Sequence, residues 1–226
     1  MELRIVMLGA PGAGKGTQAA RLAAGRGIPH VSTGDMFRAH TKNKTDLGMR
    51  IKEFLDAGRL VPDEVTCEIV KERLGRADCA GGYVLDGFPR SIPQALALEA
   101  ITAASGKPLD AALEIRVEDD AIVERLAARR TCARCGAIYN MKFDPPEGGG
   151  TRCSREGCAG ELILRDDDRE ETIRERLRVY HETTEPLLAF YRDRGLLRTV
   201  VEAGLPPEGV YAKIEEIVAE IGEAAT

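Results

Sequence analysis

The stretch Gly9-Ala10-Pro11-Gly12-Ala13-Gly14-Lys15-Gly16-Thr17 follows the apolar run Leu3–Leu8 and precedes a helix-forming segment at 18–26. It matches the phosphate-binding pattern G-x-x-x-x-G-K-[ST], except that Gly16-Thr17 stands where a hydroxyl residue usually follows the lysine directly. Glycines let the chain turn with its N–H groups facing inward, and the following helix start adds partial positive charge. Lys15 adds a full charge. The stretch therefore predicts a strand, loop and helix that bind a nucleoside polyphosphate.

Apolar runs and helical patterns alternate along the rest of the chain. Further strands are predicted at 29–31, 83–85, 111–117 and 197–201. Apolar spacing predicts helices at 46–57, from 62 onward, and at 91–104, 119–130, 169–192 and 208–221. Because strands separated by helices are typical of a parallel sheet covered on both faces, the predicted fold class is α/β.

Composition excludes several classes of partner. The 226 residues carry a net charge of −5, so no global basic field is present to hold nucleic acid. Arg4 interrupts the short apolar N-terminal stretch, which therefore does not read as a signal peptide, and no apolar run reaches the length of a membrane span. We expect a cytoplasmic protein, monomeric by default, that contacts neither nucleic acid nor membrane.

Four of the six cysteines form two close pairs inside one segment of changed composition, 130–165. Cys132 and Cys135 have two residues between them, and Cys153 and Cys158 have four. In a reducing compartment such pairs hold a metal more often than they form disulfides, and four thiolates suit tetrahedral zinc. A redox switch or unrelated turn cysteines are the alternatives. The segment is predicted to be a small subdomain of short strands stapled by zinc.

Six arginines lie at predicted element edges beside loops or glycine turns. Arg90 follows Asp86-Gly87-Phe88-Pro89 at the carboxyl end of a predicted strand, where open α/β sheets bind ligands. Phosphoryl transfer requires alignment of phosphates and neutralisation of their charge. So many guanidiniums favour two phosphate-bearing substrates, a donor and an acceptor. The set is Arg38, Arg90, Arg125, Arg129, Arg165 and Arg176.

With these motifs the chain resembles the adenylate kinases over nearly its whole length. The resemblance is carried by segments 9–17, 32–36 and 85–90, by Gln94, and by Glu170-Glu171-Thr172 with Arg176. The insertion 129–164 resembles the long, zinc-bearing lid of bacterial members. The resemblance implies the P-loop nucleoside monophosphate kinase fold with two inserted mobile subdomains. These would be a core of 1–31, 62–128 and 165–226, an AMP-binding subdomain of 32–61, and the lid. It implies reversible transfer from ATP to AMP with magnesium, giving two ADP and serving adenine nucleotide homeostasis.

The resemblance also implies residue roles. ATP would be bound by Gly12, Ala13, Gly14, Lys15, Gly16, Thr17, Arg129, Ile138, Tyr139 and Leu205. AMP would be bound by Thr33, Arg38, Arg59, Leu60, Val61, Gly87, Phe88, Pro89, Arg90, Gln94, Arg165 and Arg176. The catalytic set would be Lys15, Arg90, Arg125, Arg129, Arg165 and Arg176, with Asp86 orienting the water shell of magnesium. Asp167 and Asp168 match hinge acids that contact the arginines.

Two details depart from or compete with this pattern. Zinc-bearing relatives usually have two residues inside the second cysteine pair, so the enlarged spacing places Cys153 in question. Gln94 can read the adenine of AMP, but Ser91-Ile92-Pro93-Gln94 also has the form of a helix capping box.

Other functions remain open at this stage. A kinase for UMP, CMP or GMP would share the glycine loop and the arginines, although Thr33, Gln94 and the long lid favour AMP. A zinc-ribbon protein that binds nucleic acid is disfavoured by the acidic net charge and by the lack of interleaved aromatic and basic residues in the ribbon. A nucleotide sensor without activity is a third alternative, though every charged position needed for transfer is present.

Overall fold

The computed structural model describes residues 2–202 and 204–224, with the side chain of Ala224 excluded. The predicted core ranges also include Met1, Ala203, Ala225 and Thr226, which lie outside the described residues. The strands are β1 Leu3–Leu8, β2 His30–Ser32, β3 Gly82–Asp86, β4 Ala111–Arg116, β5 Arg129–Cys132, β6 Ile138–Asn140, β7 Leu162–Ile163 and β8 Leu197–Val201. The α-helices are α1 Lys15–Arg26, α2 Thr33–Lys42, α3 Asp46–Asp56, α4 Asp63–Leu74, α5 Ile92–Ala104, α6 Asp119–Ala128, α7 Glu170–Val179, α8 Pro186–Asp193 and α9 Pro207–Ala224.

A five-stranded parallel sheet in the order β2-β3-β1-β4-β8 forms the centre of the molecule. Successive residues of β1 point to opposite faces, and both faces are buried. On one face Leu22 of α1 and Ile214 of α9 pack against the sheet. On the other, Leu98 of α5 and Tyr191 of α8 do so. The α/β prediction is confirmed.

The carboxyl ends of the strands meet at one edge of this sheet. β1 lies between β3 and β4, and the chain leaves β1 for α1 and β2 on one side before it returns to β4 on the other. Such a reversal of strand order opens a crevice at the carboxyl ends, where α/β proteins bind ligands. The predicted glycine loop and the Asp86–Arg90 segment both lie at this edge.

The helix predicted at 169–192 is divided in the structure. α7 and α8 are joined by a π-helical turn at Tyr180–Thr184, in which the N–H of Glu185 donates to the carbonyl oxygen of Tyr180 at 2.8 Å. The helix predicted at 119–130 ends at Ala128, because Arg129 adopts extended backbone angles and begins β5. The first helix begins at Lys15, three residues before its predicted start.

Two smaller units are inserted into the sheet core. Segment 32–61 holds α2 and α3 around a core of Phe37, Ile51 and Val61. Segment 129–164 holds an antiparallel sheet in the order β6-β5-β7. Within the described residues, no helix combines the length and the apolarity that crossing a bilayer requires.

Candidate functional site

The loop between β1 and α1 has the backbone geometry of an anion-binding loop. Gly9, Gly12 and Gly14 have φ of +132°, +88° and +85°. A Cβ on Gly9 would lie 2.4 Å from the carbonyl oxygen of Ile115, so the loop fits against β4 only without a side chain there. Because α1 begins at Lys15, its free N–H groups face the hollow of the loop.

Lys15 projects over this loop. Its Nζ donates hydrogen bonds to the carbonyl oxygens of Gly9 and Ala10, at 2.7 and 2.8 Å. Burial lowers the pKa of Lys15 to about 8; the Asp86 carboxylate opposes this shift, and the charges of Arg90 and nearby arginines add to it. A cation that is disfavoured by its own surroundings is stabilised when phosphate arrives.

Asp86 ends β3 beside the start of α1. Burial raises the pKa of its carboxyl, but the ring of His30 and the charges of Lys15 and Arg90 outweigh burial and leave the pKa below its ordinary value. Asp86 is therefore ionised at neutral pH. His30 Nε2 lies 3.6 Å from Asp86 Oδ2.

His30 belongs to the site and was missed by sequence reasoning. The signal that could have found it is the pairing of β2 with β3, in which His30 lies opposite Val84 and Ser32 opposite Asp86. Paired residues share a face of the sheet, so His30 and Asp86 point to the same side.

Arg90 and Thr33 are held on one carbonyl group. Arg90 Nε and Thr33 Oγ1 each donate to the carbonyl oxygen of Gly87 at 2.8 Å. Gly87 has a φ of +78°, and a Cβ there would lie 2.8 Å from Thr33 Oγ1. Burial and the charge of Arg176 lower the pKa of Arg90 to about 10. The acidic groups near Arg90 therefore do not fully compensate the charge of its guanidinium.

Ser91 caps α5, but the Gln94 side chain does not complete the capping box, because it bonds to the residue before the cap. The backbone N–H of Gln94 donates to Ser91 Oγ at 3.3 Å, and its side-chain Oε1 accepts from the N–H of Arg90 at 2.8 Å. Its Nε2 donates to Asp63 Oδ1 at 2.6 Å. Gln94 is buried and braces the main chain of Arg90. Contact with a base stays a prediction.

A buried carboxylate joins two of the predicted arginines. The side chain of Asp168 has no exposed area and accepts two hydrogen bonds from Arg129, at 2.7 and 2.5 Å. Arg176 Nη1 lies 3.4 Å from the same carboxylate and donates to the carbonyl oxygen of Asp167 at 2.8 Å. Burial raises the pKa of Asp167, but Arg176, Arg129 and Arg165 outweigh it and lower the pKa overall.

Arg165 and Arg38 face the same space from opposite sides. Arg165 Nε donates to Thr131 Oγ1 at 2.7 Å, and burial together with the charge of Arg129 lowers the pKa of Arg165 to about 10. Arg38 lies on α2, where it pairs with Asp35 at 2.6 Å, and its charge lowers the pKa values of Arg90, Arg165 and Arg176. We call Lys15, Arg38, Arg90, Arg129, Arg165 and Arg176 the basic cluster.

Arg125 differs from expectation, because it was predicted to close over the transferring phosphoryl group. Its Nη2 donates to Glu202 at 2.6 Å, just after β8 and outside the basic cluster. The N–H of Leu205 donates to the carbonyl oxygen of Glu202 at 2.7 Å, so the guanidinium lies near the loop predicted to meet adenine. Leu205 itself is partly buried against the core that α1 and α9 share.

The two lid residues that were predicted to contact ATP lie in different environments. Ile138 is exposed, whereas Tyr139 is buried with its hydroxyl 3.2 Å from Cys153 Sγ and 3.1 Å from the N–H of Ser154. The side chain of Tyr139 therefore faces the cysteines, because burial of its ring completes the small core of the lid. Contact of residue 139 with ATP stays a prediction.

The other residues predicted to contact AMP have varied environments. Arg59 is exposed and lies over the ring of Phe54, with 5.3 Å from its Cζ to the ring centroid. Val61 is buried in the core of segment 32–61, and Leu60 is half-buried. Phe88 is fully buried in the main core and Pro89 is buried beside it. Only the backbone of Phe88 can meet a ligand.

The four lid cysteines converge. Their Sγ atoms all lie within 4.8 Å of one another, and the closest pairs, Cys132 with Cys158 and Cys135 with Cys153, are 3.6 Å apart. The chain turns on both sides of Cys158, where Gly157 and Ala159 have φ of +70° and +49°. Cys153, which the spacing left in question, belongs to the cluster.

Comparison with known proteins agrees with this geometry. A family model described as "Adenylate kinase" matches residues 7–196. An adenylate kinase of Lachnospira eligens is 49% identical over 216 residues, covering 96% of this chain and all of the relative. Those of Symbiobacterium thermophilum and Bacillus subtilis are 51% and 49% identical, each over 96% of this chain and 98% of the relative.

Proposed function

The chain belongs to the adenylate kinase family, and we propose that its cleft transfers the terminal phosphoryl group of ATP to AMP, reversibly, giving two ADP. The protein is a phosphotransferase. The observation that carries the proposal is the basic cluster, in which six cations exceed the acidic groups that the described residues place among them, Asp35, Asp86, Asp167 and Asp168. Such a surplus of positive charge is compensated by two phosphate chains that meet end to end.

The two ends of the cleft suit different nucleotides. The glycine loop and Lys15 would hold the β- and γ-phosphates of ATP, with its adenine toward Leu205 and Arg125. Thr33, Arg38 and Arg90 would hold AMP on the side of α2. The basic cluster would span the junction, where an oxygen of the AMP phosphate bonds to the γ-phosphorus as the bond to the β,γ-bridging oxygen breaks.

Family members use magnesium with ATP, and the residues present fit this ion. Asp86 stays ionised because of its neighbours, and its Oδ2 faces Gly16, where an added Cβ would lie 3.1 Å away. Asp86 would hold the water shell of magnesium, which supplies charge neutralisation on the phosphates. Lys15, Arg129 and Arg176 would add positive charge beside the oxygens of the transferring phosphoryl group, where negative charge has to be stabilised in the transition state.

We assign the two inserted units as covers, 32–61 over AMP and 129–164 over ATP, around the core of 1–31, 62–128 and 165–226. Supporting this, Arg129 begins β5 and Arg165 follows β7, so each lies at the junction of segment 129–164 with the core. Gly58 packs so closely against α7 that a Cβ would lie 3.0 Å from Arg176 Cγ. Closure of such covers excludes water, which prevents hydrolysis of ATP without transfer.

The function is tested by following ADP formation from ATP with AMP, UMP, CMP or GMP as acceptor, and with no acceptor. We expect ADP to form rapidly from ATP only when AMP is the acceptor. Equal rates with another monophosphate would favour a different nucleoside monophosphate kinase, and equal rates without an acceptor would overturn the proposal.

The pKa of Lys15 gives a pH dependence. In the free protein Lys15 loses its charge as pH rises through about 8, so kcat/KM for ATP is expected to fall over that range. Bound phosphates favour the protonated ammonium, so kcat should hold to higher pH. Initial rates at saturating AMP separate the two profiles. Superimposable profiles would contradict this assignment.

For the cysteine cluster we propose zinc. A Zn–S bond of about 2.3 Å in a tetrahedron places the sulfurs about 3.8 Å apart, close to the 3.6 Å of the two nearest pairs. Backbone N–H groups of Cys135 and Arg134 hold the pKa of Cys132 down, to about 6, as a thiolate ligand requires. The metal would hold together a core of only a few buried side chains.

Loss of one ligand tests the structural role of the metal. C132S is expected to lower the zinc content from one per chain to well below one and to reduce the melting temperature by several degrees, since a structural metal contributes folding energy. C67S is the matched control, because Cys67 lies outside the cluster. Zinc content by elemental analysis and thermal melts are the measurements. A C132S variant with an unchanged melting temperature and no activity would refute a purely structural metal.

We further propose that the protein acts as a monomer in the cytoplasm. Unpaired clustered thiols support the compartment, because metal-binding cysteines persist where the surroundings are reducing. Sedimentation of the purified protein tests the oligomeric state.

A further inference from the structure

The π turn at Tyr180–Thr184 is an irregular element close to the cleft. In a π turn one additional residue enters the helix, so the side chains beyond it point in directions that a regular helix would not give. Such turns occur frequently at functional sites. The last residue of this one, Thr184, is buried and lies in contact with the loop that carries Arg90.

Thr184 makes a hydrogen bond to that loop and not to its own helix. Its Oγ1 donates to the carbonyl oxygen of Arg90 at 2.8 Å. A buried threonine in a helix ordinarily bonds to a carbonyl of the preceding turn, as Thr102 does with the carbonyl oxygen of Leu98 at 3.0 Å. The π turn therefore directs a donor across the interface to a residue that is remote in sequence.

The bond completes the support of the Arg90 main chain. The N–H of Arg90 donates to Gln94 Oε1 at 2.8 Å, and its carbonyl group accepts from Thr184. With the backbone held on both sides, the guanidinium retains its bond from Nε to the carbonyl oxygen of Gly87. Repulsion from Arg176 and Lys15 would otherwise push this side chain away from the cleft.

We propose that Thr184 is a positioning residue for the acceptor phosphate: through the π turn it fixes the peptide of Arg90 and thereby the guanidinium that binds AMP. This inference rests on the proposed function, since it assigns Arg90 to AMP. Thr184 would act on AMP and have little effect on ATP, because the glycine loop belongs to a different element.

The substitution T184V keeps the shape of the side chain and removes the donor. We expect the Kd for AMP to rise about five- to tenfold, since a net hydrogen bond contributes about 1 kcal/mol and tenfold corresponds to about 1.4 kcal/mol. The Kd for ATP should change less than about twofold. T184S, which keeps the hydroxyl, should restore the affinity for AMP.

T102V is the matched control, since it removes an equally buried hydroxyl within α5. Calorimetric titration of wild type, T184V, T184S and T102V with AMP and with ATP, together with thermal melts, measures binding separately from stability. We expect T102V and T184V to lose similar thermal stability and only T184V to lose affinity for AMP. If T184V does not fold, T184A removes the same donor without adding bulk.

The outcomes separate the two proposals. A wild type that binds no AMP would overturn the proposed function itself. A wild type that binds AMP as tightly as T184V does would overturn the role of Thr184 alone. Equal loss of affinity for AMP and ATP in T184V, or the same loss in T102V, would reduce Thr184 to a general structural residue.

Discussion

Replacing Lys15 with methionine is expected to lower kcat by about 10³-fold, the upper end of the effect of removing one transition-state donor. Methionine has a similar length and no charge. Among the described residues, Lys15 Nζ donates hydrogen bonds only to carbonyl oxygens of its own loop, so phosphate oxygens can replace those partners without breaking another hydrogen bond. The glycine loop keeps its fold, because its φ angles belong to Gly9, Gly12 and Gly14.

The measurement is the initial rate of ADP formation at saturating ATP and AMP. K107M is the matched control, because Lys107 Nζ also donates to a backbone carbonyl, that of Ala80 at 2.6 Å, but far from the basic cluster. K107M should retain the wild-type rate. A K15M variant within tenfold of wild type would remove Lys15 from the catalytic set.

Replacing Arg90 with alanine is expected to lower kcat/KM for AMP by about 10²- to 10³-fold. The guanidinium is aimed by its bond to Gly87 and lies among the other cations of the cluster. Its lowered pKa shows that its surroundings disfavour the charge, so its removal should leave the melting temperature unchanged or raised. Loss of function with retained stability is the pattern of a residue kept for binding and not for folding.

R73A is the contrasting control. Arg73 makes two hydrogen bonds to Asp78, at 2.9 and 2.7 Å, and these raise its pKa. Its removal should lower the melting temperature and leave the kinetics intact. The two variants together separate an arginine that is repelled by its neighbours from one that is stabilised by a partner. An R90A variant that melts earlier and still turns over AMP normally would refute the assignment.

Local features made much of the fold predictable. β1 has the predicted bounds, because five of its six residues are apolar and all six are buried, which is the pattern of a strand covered on both faces. The glycine loop could be predicted because glycine is the residue that adopts positive φ angles where the loop packs closely against β4. The π turn was not predicted: four of its five residues have weak helix propensity and Pro186 follows, but neither signal specifies a π turn, which depends on contacts such as that of Thr184 with Arg90.

The partners that long side chains contact in the site were harder to predict. Arg125 lies on α6 and Arg129, four residues later, begins β5; Arg125 pairs with Glu202 while Arg129 pairs with Asp168. The local sequence does not predict these partners, since each comes from a distant segment. Tyr139 likewise turns toward Cys153 because the small lid requires its ring as core. The spacing of residues in the sequence predicts which helix or strand carries a residue, but it does not predict which residue its side chain contacts.

The pairing of β4 with β8 also has a consequence for synthesis on the ribosome. Ala112 of β4 lies beside Leu197 of β8, so this edge stays open until the lid, α7 and α8 have all been translated. An unpaired strand edge is a template for association with other chains. Nascent molecules that stall before β8 emerges should therefore recruit chaperones or aggregate, whereas release of the completed polypeptide closes the edge.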